Sequence, residues 1–150
     1  MIINLDLLSF QSFLKIKKEK EKQFLFCPIR KKNLVLQPEE LVRQLLIIYL
    51  IEKKGYSKSR IAVEKSLTIN ELYRRFDVLI YDKNTTPFLL VECKAPEVKI
   101  TQSTFEQIAQ YNLSLHVPYL LVTNGITTYC CKMDYNSESF EFIDKIPFID

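Results

Sequence analysis

Two carboxylates and an amine interrupt apolar, strand-like runs in which charge is costly. The run Phe88-Leu89-Leu90-Val91 ends in Glu92-Cys93-Lys94-Ala95-Pro96, and Arg75-Phe76-Asp77-Val78-Leu79-Ile80 carries Asp77 in the same way. On an extended chain Glu92 and Lys94 share one face about 6.6 Å apart, while Cys93 turns to the other side. Antiparallel neighbours lie ~4.8 Å apart, which lets Asp77 and Glu92 share a cation. Carboxylate oxygens and a nearby backbone carbonyl are hard ligands suited to Mg²⁺, an ion that keeps several waters and shares its shell with phosphates; Mn²⁺ is the alternative. Beside such a shell Lys94 can orient or deprotonate a water, or balance charge on a pentacovalent phosphate. The plainer reading is a salt bridge at a strand end, Glu92 with Lys94 or Asp77 with an arginine.

Composition removes most other chemistry. The 150 residues, 47% hydrophobic and 26% charged, fit one globular domain over 1–150 with one core. Only Gly55 and Gly125 occur, so neither a dinucleotide-binding G-x-G-x-x-G turn nor a G-x-x-x-x-G-K phosphate loop can be written. The lone His116 excludes H-E-x-x-H zinc hydrolases and makes a Ser/His/Asp triad a poor choice. The longest apolar run, Leu45 to Ile51, is far short of the ~18 residues of a membrane span, so no membrane partner is expected. Cys27, Cys93, Cys130 and Cys131 form no C-x-x-C, and Met1 to Phe10 lacks the basic region of a signal peptide; reduced thiols in a cytoplasmic protein are expected.

Net charge is only +3, but Lys15 to Lys32 holds eight basic and two acidic residues. That stretch reads as a solvated hairpin or as a phosphate-facing stripe, with Arg30, Lys31 and Lys32 as weak DNA contacts. Arg74 and Arg75, just before Asp77, are read together: one contacting phosphate, the other pairing with Glu71.

The elements that must position these groups follow from periodicity. Residues 1–36 read as an N-terminal extension with a basic β-hairpin around Phe13 to Ile16 and Phe24 to Phe26, and Leu34 to Leu36 as a further short strand. Gln37-Pro38-Glu39-Glu40 starts a helix that runs to about Lys54, is apolar on most sides and ends at Gly55. Strands follow at Ile61 to Glu64, Leu72 to Tyr81 and Phe88 to Lys94, with a turn at Asp82-Lys83-Asn84. Thr101 caps a second helix to about Leu115, and Pro118 to Thr123 is a buried strand. Ile126 to Lys132 and Phe140 to Ile143 add extra strands, and adjacent Cys130 and Cys131 point to opposite faces. The class is α/β, a mixed sheet flanked by helices, because a helix between two strands is a crossover that permits parallel pairing.

Asp77, fourteen intervening residues and then Glu92-Cys93-Lys94 resemble the PD-(D/E)xK nuclease superfamily, with Phe76 in place of the proline. Gln107-Ile108-Ala109-Gln110-Tyr111 resembles the Q-x-x-x-Y motif of its RecB-like branch. Pro38-Glu39-Glu40-Leu41-Val42-Arg43-Gln44, Glu92-Cys93-Lys94-Ala95-Pro96 and Thr123-Asn124-Gly125 are similar to the N-terminal nuclease domain of type I restriction enzyme R subunits. The resemblance covers roughly Leu34 to Lys132. It implies a restriction-endonuclease-like fold of core order α-β-β-β-α-β and a Mg²⁺-dependent nuclease that hydrolyses DNA phosphodiester bonds with water, leaving a 5′-phosphate. It further implies Asp77 and Glu92 as metal ligands, Lys94 as the catalytic lysine, Gln107 and Tyr111 as substrate-positioning residues, and Glu40 as the helix carboxylate that completes the metal site. Glu64 is the rival for that last role. R subunits also carry translocating motors, which these residues cannot contain. The implied partner is DNA, with other restriction or defence subunits as further candidates and oligomerisation left open. The alternatives are a nuclease acting on branched DNA or RNA, and a non-catalytic DNA-binding module.

Overall fold

Between Ile16 and Val35, apolar residues alternate with lysines and glutamates closely enough to build three strands rather than two. In the computed structural model β1 (Ile16–Glu19), β2 (Lys22–Cys27) and β3 (Lys32–Val35) form one antiparallel sheet. Leu25 stands opposite both Ile16 and Leu34, so the third strand is recruited by the apolar face that the hairpin leaves open. The structure describes residues 2–69 and 71–149, without the side chains of Leu67, Ile69, Leu72, Arg74, Tyr111 and Ser114.

Helix α1 (Pro38–Glu52) starts with Pro38 in its first turn and is buried continuously from Val42 to Leu50. It ends just before Gly55, whose φ of +72° lets the Tyr56 N–H return to the Leu50 carbonyl at 2.9 Å. The start of the N-terminal extension joins the same core. Ile3, Leu5 and Leu7 are buried against α1, and the Ile3 N–H donates to the Thr128 carbonyl at 2.8 Å.

The main sheet has six strands in sequential order: β4 (Ile61–Ile69), β5 (Leu72–Tyr81), β6 (Pro87–Cys93), β7 (Tyr119–Thr123), β8 (Thr128–Asp134) and β9 (Ser139–Ile143). Only β6 and β7 pair in parallel, and α2 (Gln102–Asn112) is the crossover between them. Thr101 caps α2 by accepting from the Thr104 N–H at 3.1 Å, and a 3₁₀ turn at Leu113–Leu115 replaces the expected last helical turn. The core order from α1 onward is therefore α-β-β-β-α-β, with β8 and β9 as extra strands.

Alternation along the strands sends Val78, Ile80, Leu89, Val91, Cys93, Leu121 and Cys130 to the α1 side. Leu79, Leu90, Leu120, Val122 and Cys131 face Phe105 and Ala109 of α2 on the other side. Cys130 and Cys131 thus lie in different layers, and all four cysteines are free and buried. Among the described residues no helix is long and apolar enough to cross a membrane.

Candidate functional site

β5 and β6 pair from Tyr81 opposite Pro87 as far as Val78 opposite Val91, and there the ladder stops. The next positions in that register are Asp77 and Glu92. Instead of backbone pairing, the Cys93 N–H donates to Asp77 Oδ2 at 2.7 Å, so a carboxylate oxygen takes the place of a strand carbonyl. On the other flank the β4–β5 ladder passes from Val63 opposite Val78 to Lys65 opposite Phe76. Glu64, at the skipped position facing Asp77, has φ +52°, a conformation that costs a side-chain-bearing residue roughly 1–2 kcal/mol. Phe76 and Val78 lie two residues apart yet in opposite core layers, so β5 turns over at Asp77. The carboxylate is thereby delivered to the strand junction, where Arg43 of α1 reaches it.

Asp77 and Glu92 come together as the sequence indicates. Glu92 is half-buried, and its pKa is pushed up to about 7, first by burial and then by the Asp77 carboxylate, while Lys94 pulls it down. β6 ends at Cys93, so Lys94 is the first residue past the strand, not its last, although its N–H still donates to the Thr123 carbonyl at 2.8 Å. Its ammonium makes none of the ion pairs found among the described residues. Glu92, Lys94, Gln107, Ile108 and Asn112 line one open cleft of about 290 Å³, which places Gln107 of α2 at the site. Tyr111 follows on α2, and its side chain lies outside the described residues. Behind the cleft Asn124 donates to the Val98 carbonyl at 2.8 Å and accepts from the Ile126 and Thr127 N–H groups. It ties the loop after Lys94 to the end of β7. Gly125, with φ +89°, sits where a Cβ would come within 3.2 Å of Val42.

The α1 carboxylate has a different setting. Glu40 is buried, and both of its oxygens are engaged: Oε1 accepts from Arg43 Nη1 at 2.5 Å, and Oε2 from Arg30 Nη2 at 2.5 Å and Gln44 Nε2 at 2.8 Å. Arg43 also donates to Asp77 Oδ1 at 3.2 Å and lies 3.6 Å from Glu64 Oε1. Burial works against its charge, but Glu40 and then Asp77 outweigh that and raise its pKa. Glu64, 39% exposed, further pairs with Arg75 at 3.2 Å, the partner that Arg75 takes in place of Glu71. Arg74 lies on β5, its side chain outside the described residues. Lys31 and Lys32 are exposed, whereas Arg30 has only 12% of its side chain exposed and points into the carboxylates.

From sequence Arg43 has no assigned role, and Arg30 is read only as a weak DNA contact, not as a partner of the carboxylates. The available signal was Arg43-Gln44, the one polar break in the apolar run from Leu41 to Ile51, three residues after Glu40. On a helix that spacing stacks Arg43 over Glu40.

A family model described as the type I restriction enzyme R protein N terminus matches residues 38–147. No curated protein matches the chain. The matched segment begins at the first residue of α1, takes in Asp77, Glu92, Lys94 and Gln107, and extends past β9, leaving out the three-stranded sheet and Arg30. By this match over most of its length, the chain belongs to the family of type I restriction enzyme R protein N-terminal domains.

Proposed function

We propose that this domain is a Mg²⁺-dependent deoxyribonuclease of the PD-(D/E)xK type, with Asp77, Glu92 and Lys94 as its working residues. The observation that carries the reading is the pairing of two carboxyl groups at the point where β5 and β6 part, one of them with its pKa raised to about 7. Two carboxylates crowded into a partly dry spot bind a proton more tightly, and a divalent cation between them would relieve the same repulsion. The donor set fits Mg²⁺. Asp77 and Glu92 supply hard oxygens, and two carboxylates are enough for an ion that keeps several waters. When bound, the ion supplies Lewis-acid stabilisation of charge on the phosphate and increases the acidity of water.

The chain's own residues supply the rest. Lys94, at the mouth of the cleft, takes or orients the proton of the attacking water and offsets charge on the phosphate. The water oxygen bonds to phosphorus as the bond to O3′ breaks; the water's proton passes to Lys94 or solvent and solvent protonates the leaving O3′, leaving a 5′-phosphate and a 3′-hydroxyl. Gln107 positions the substrate from α2, and Tyr111 is assigned the same task. Lys31, Lys32 and Arg75 are exposed and hold DNA phosphates without reading sequence. Glu40, with both oxygens on cationic or amide donors, serves Asp77 through Arg43 in this reading, and Glu64 contributes from the other side. Other restriction subunits are the natural protein partners for such a domain.

The test is incubation of supercoiled plasmid, branched DNA and RNA with the protein in Mg²⁺, Mn²⁺ or EDTA, beside Asp77→Asn. Metal-dependent nicking of plasmid by wild type alone is expected. Cleavage confined to branched DNA or RNA would change the substrate, and binding without cleavage of any of them would leave a DNA-binding module.

A further inference from the structure

Arg43 occupies an unusual position for a guanidinium. It touches Glu40 of α1 at 2.5 Å and Asp77 of β5 at 3.2 Å, lies 3.6 Å from Glu64 of β4, and has only 6% of its side chain exposed. With Glu39 of α1 at 3.4 Å, four carboxylates from three separate elements therefore converge on one buried cation. Its Nε has no hydrogen-bond partner, so charge on the carboxylates, and not full hydrogen bonding, selects this placement. Arg30 reinforces it from outside the family-matched segment, pairing with Glu40 at 2.5 Å and lying 3.8 Å from Glu64.

We propose that Arg43 is the resident cation of this carboxylate cluster, filling the place that a second divalent ion would take, so that the domain binds one ion, at Asp77 and Glu92. The inference rests on the metal-dependent reading above and adds the number of ions and the residue that sets it. Arg43 is a positioning residue: it fixes Asp77 Oδ1 while the Cys93 N–H fixes Oδ2, and it leaves Glu92 as the carboxyl without a guanidinium. A neutral residue at position 43 leaves Glu39, Glu40, Glu64 and Asp77 facing one another, with Arg30 and the exposed Arg75 as the guanidiniums paired to them among the described residues. That is a surplus of hard oxygen ligands, which a divalent ion can bridge.

Mn²⁺ binding to the full chain, without DNA, is measured by calorimetry and by electron paramagnetic resonance for wild type, Arg43→Lys and Arg43→Gln. Wild type and Arg43→Lys should bind one ion. Arg43→Gln should bind two, and should melt well below wild type in EDTA with most of that loss recovered in Mn²⁺. Two ions in wild type, or a folded Arg43→Gln that still binds one, would overturn this inference and leave the nuclease reading standing. No ion in wild type would overturn both. Should Arg43→Gln fail to fold in EDTA, folding restored by Mn²⁺ at two ions per chain supports the inference; no restoration, with Glu40→Gln and Glu64→Gln melting identically with and without Mn²⁺, counts against it.

Discussion

The two ends of the β5–β6 pair are built from the same strands and behave in opposite ways. At one end Leu79, Ile80, Leu89 and Leu90 are buried to 2% exposure or less and face one another across the backbone ladder, which shifts register only beyond Ile80. At the other end the ladder stops at Val78 and Val91, a carboxylate oxygen takes the Cys93 N–H, and two carboxyl groups crowd together. The closed end gains from every group it removes from water. The open end holds charge out of water and is kept in place by its neighbours, Arg43 above all. Stability is made at one end, and the proposed chemistry is assigned to the other, a few residues apart on the same strands.

Substitutions at the open end should separate cleavage from folding. Asp77→Asn should lower plasmid cleavage by roughly 10³-fold or more and remove any Mg²⁺-dependent rise in melting temperature, because a ligand is lost. Lys94→Ala should cut cleavage by roughly 10²–10⁴-fold, keep DNA binding, and change melting little at saturating Mg²⁺. Full cleavage by Lys94→Ala would make a strand-end salt bridge the better account of this constellation.

The closed end should give the reverse. Leu79→Ala is expected to cost ~2–5 kcal/mol in urea unfolding while the surviving folded molecules still cleave. Between the two ends stands Glu40. Removing its charge strands two arginines, and Glu40→Gln is expected to cost ~3–5 kcal/mol, against under ~1 kcal/mol for the more exposed Glu64→Gln. Equal costs for the two would show that the buried cluster does not depend on Glu40.

Acidity sharpens the comparison further. The folded pKa of Glu92 is raised to about 7, above its unfolded value of about 4.3, so the folded chain binds the extra proton between the two. The contribution is present in full below about pH 4.3 and is lost as pH rises through about 7. Without metal, stability should therefore fall across that window by at most ~4 kcal/mol, and Glu92→Gln should flatten the fall in pH-dependent urea titrations. Saturating Mg²⁺ should flatten it too. The smallest effect is expected on the surface, where Lys31→Ala with Lys32→Ala should reduce the salt slope of DNA binding by roughly 1–2. Arg30 is left intact in that test because it faces Glu40 and not solvent.

Sequence by itself determined the order of elements and the residues that meet at the strand junction. Period-two alternation, the Pro38 start, the Thr101 cap and the spacing from Asp77 to Glu92 are local or near-local signals, and local chemistry fixes such choices wherever one face is buried. Only the tertiary structure decided which cation each carboxylate receives. Arg30, Arg43, Glu40, Glu64 and Asp77 come from a turn, a helix and two strands and meet because the N-terminal sheet and α1 reach the point where β5 turns over. A basic run therefore read as a uniform surface stripe, although the Arg30 side chain within it is largely covered and its neighbours Lys31 and Lys32 are exposed. Coulomb energy depends on separation in space and on local burial, and sequence carries neither for residues far apart along the chain.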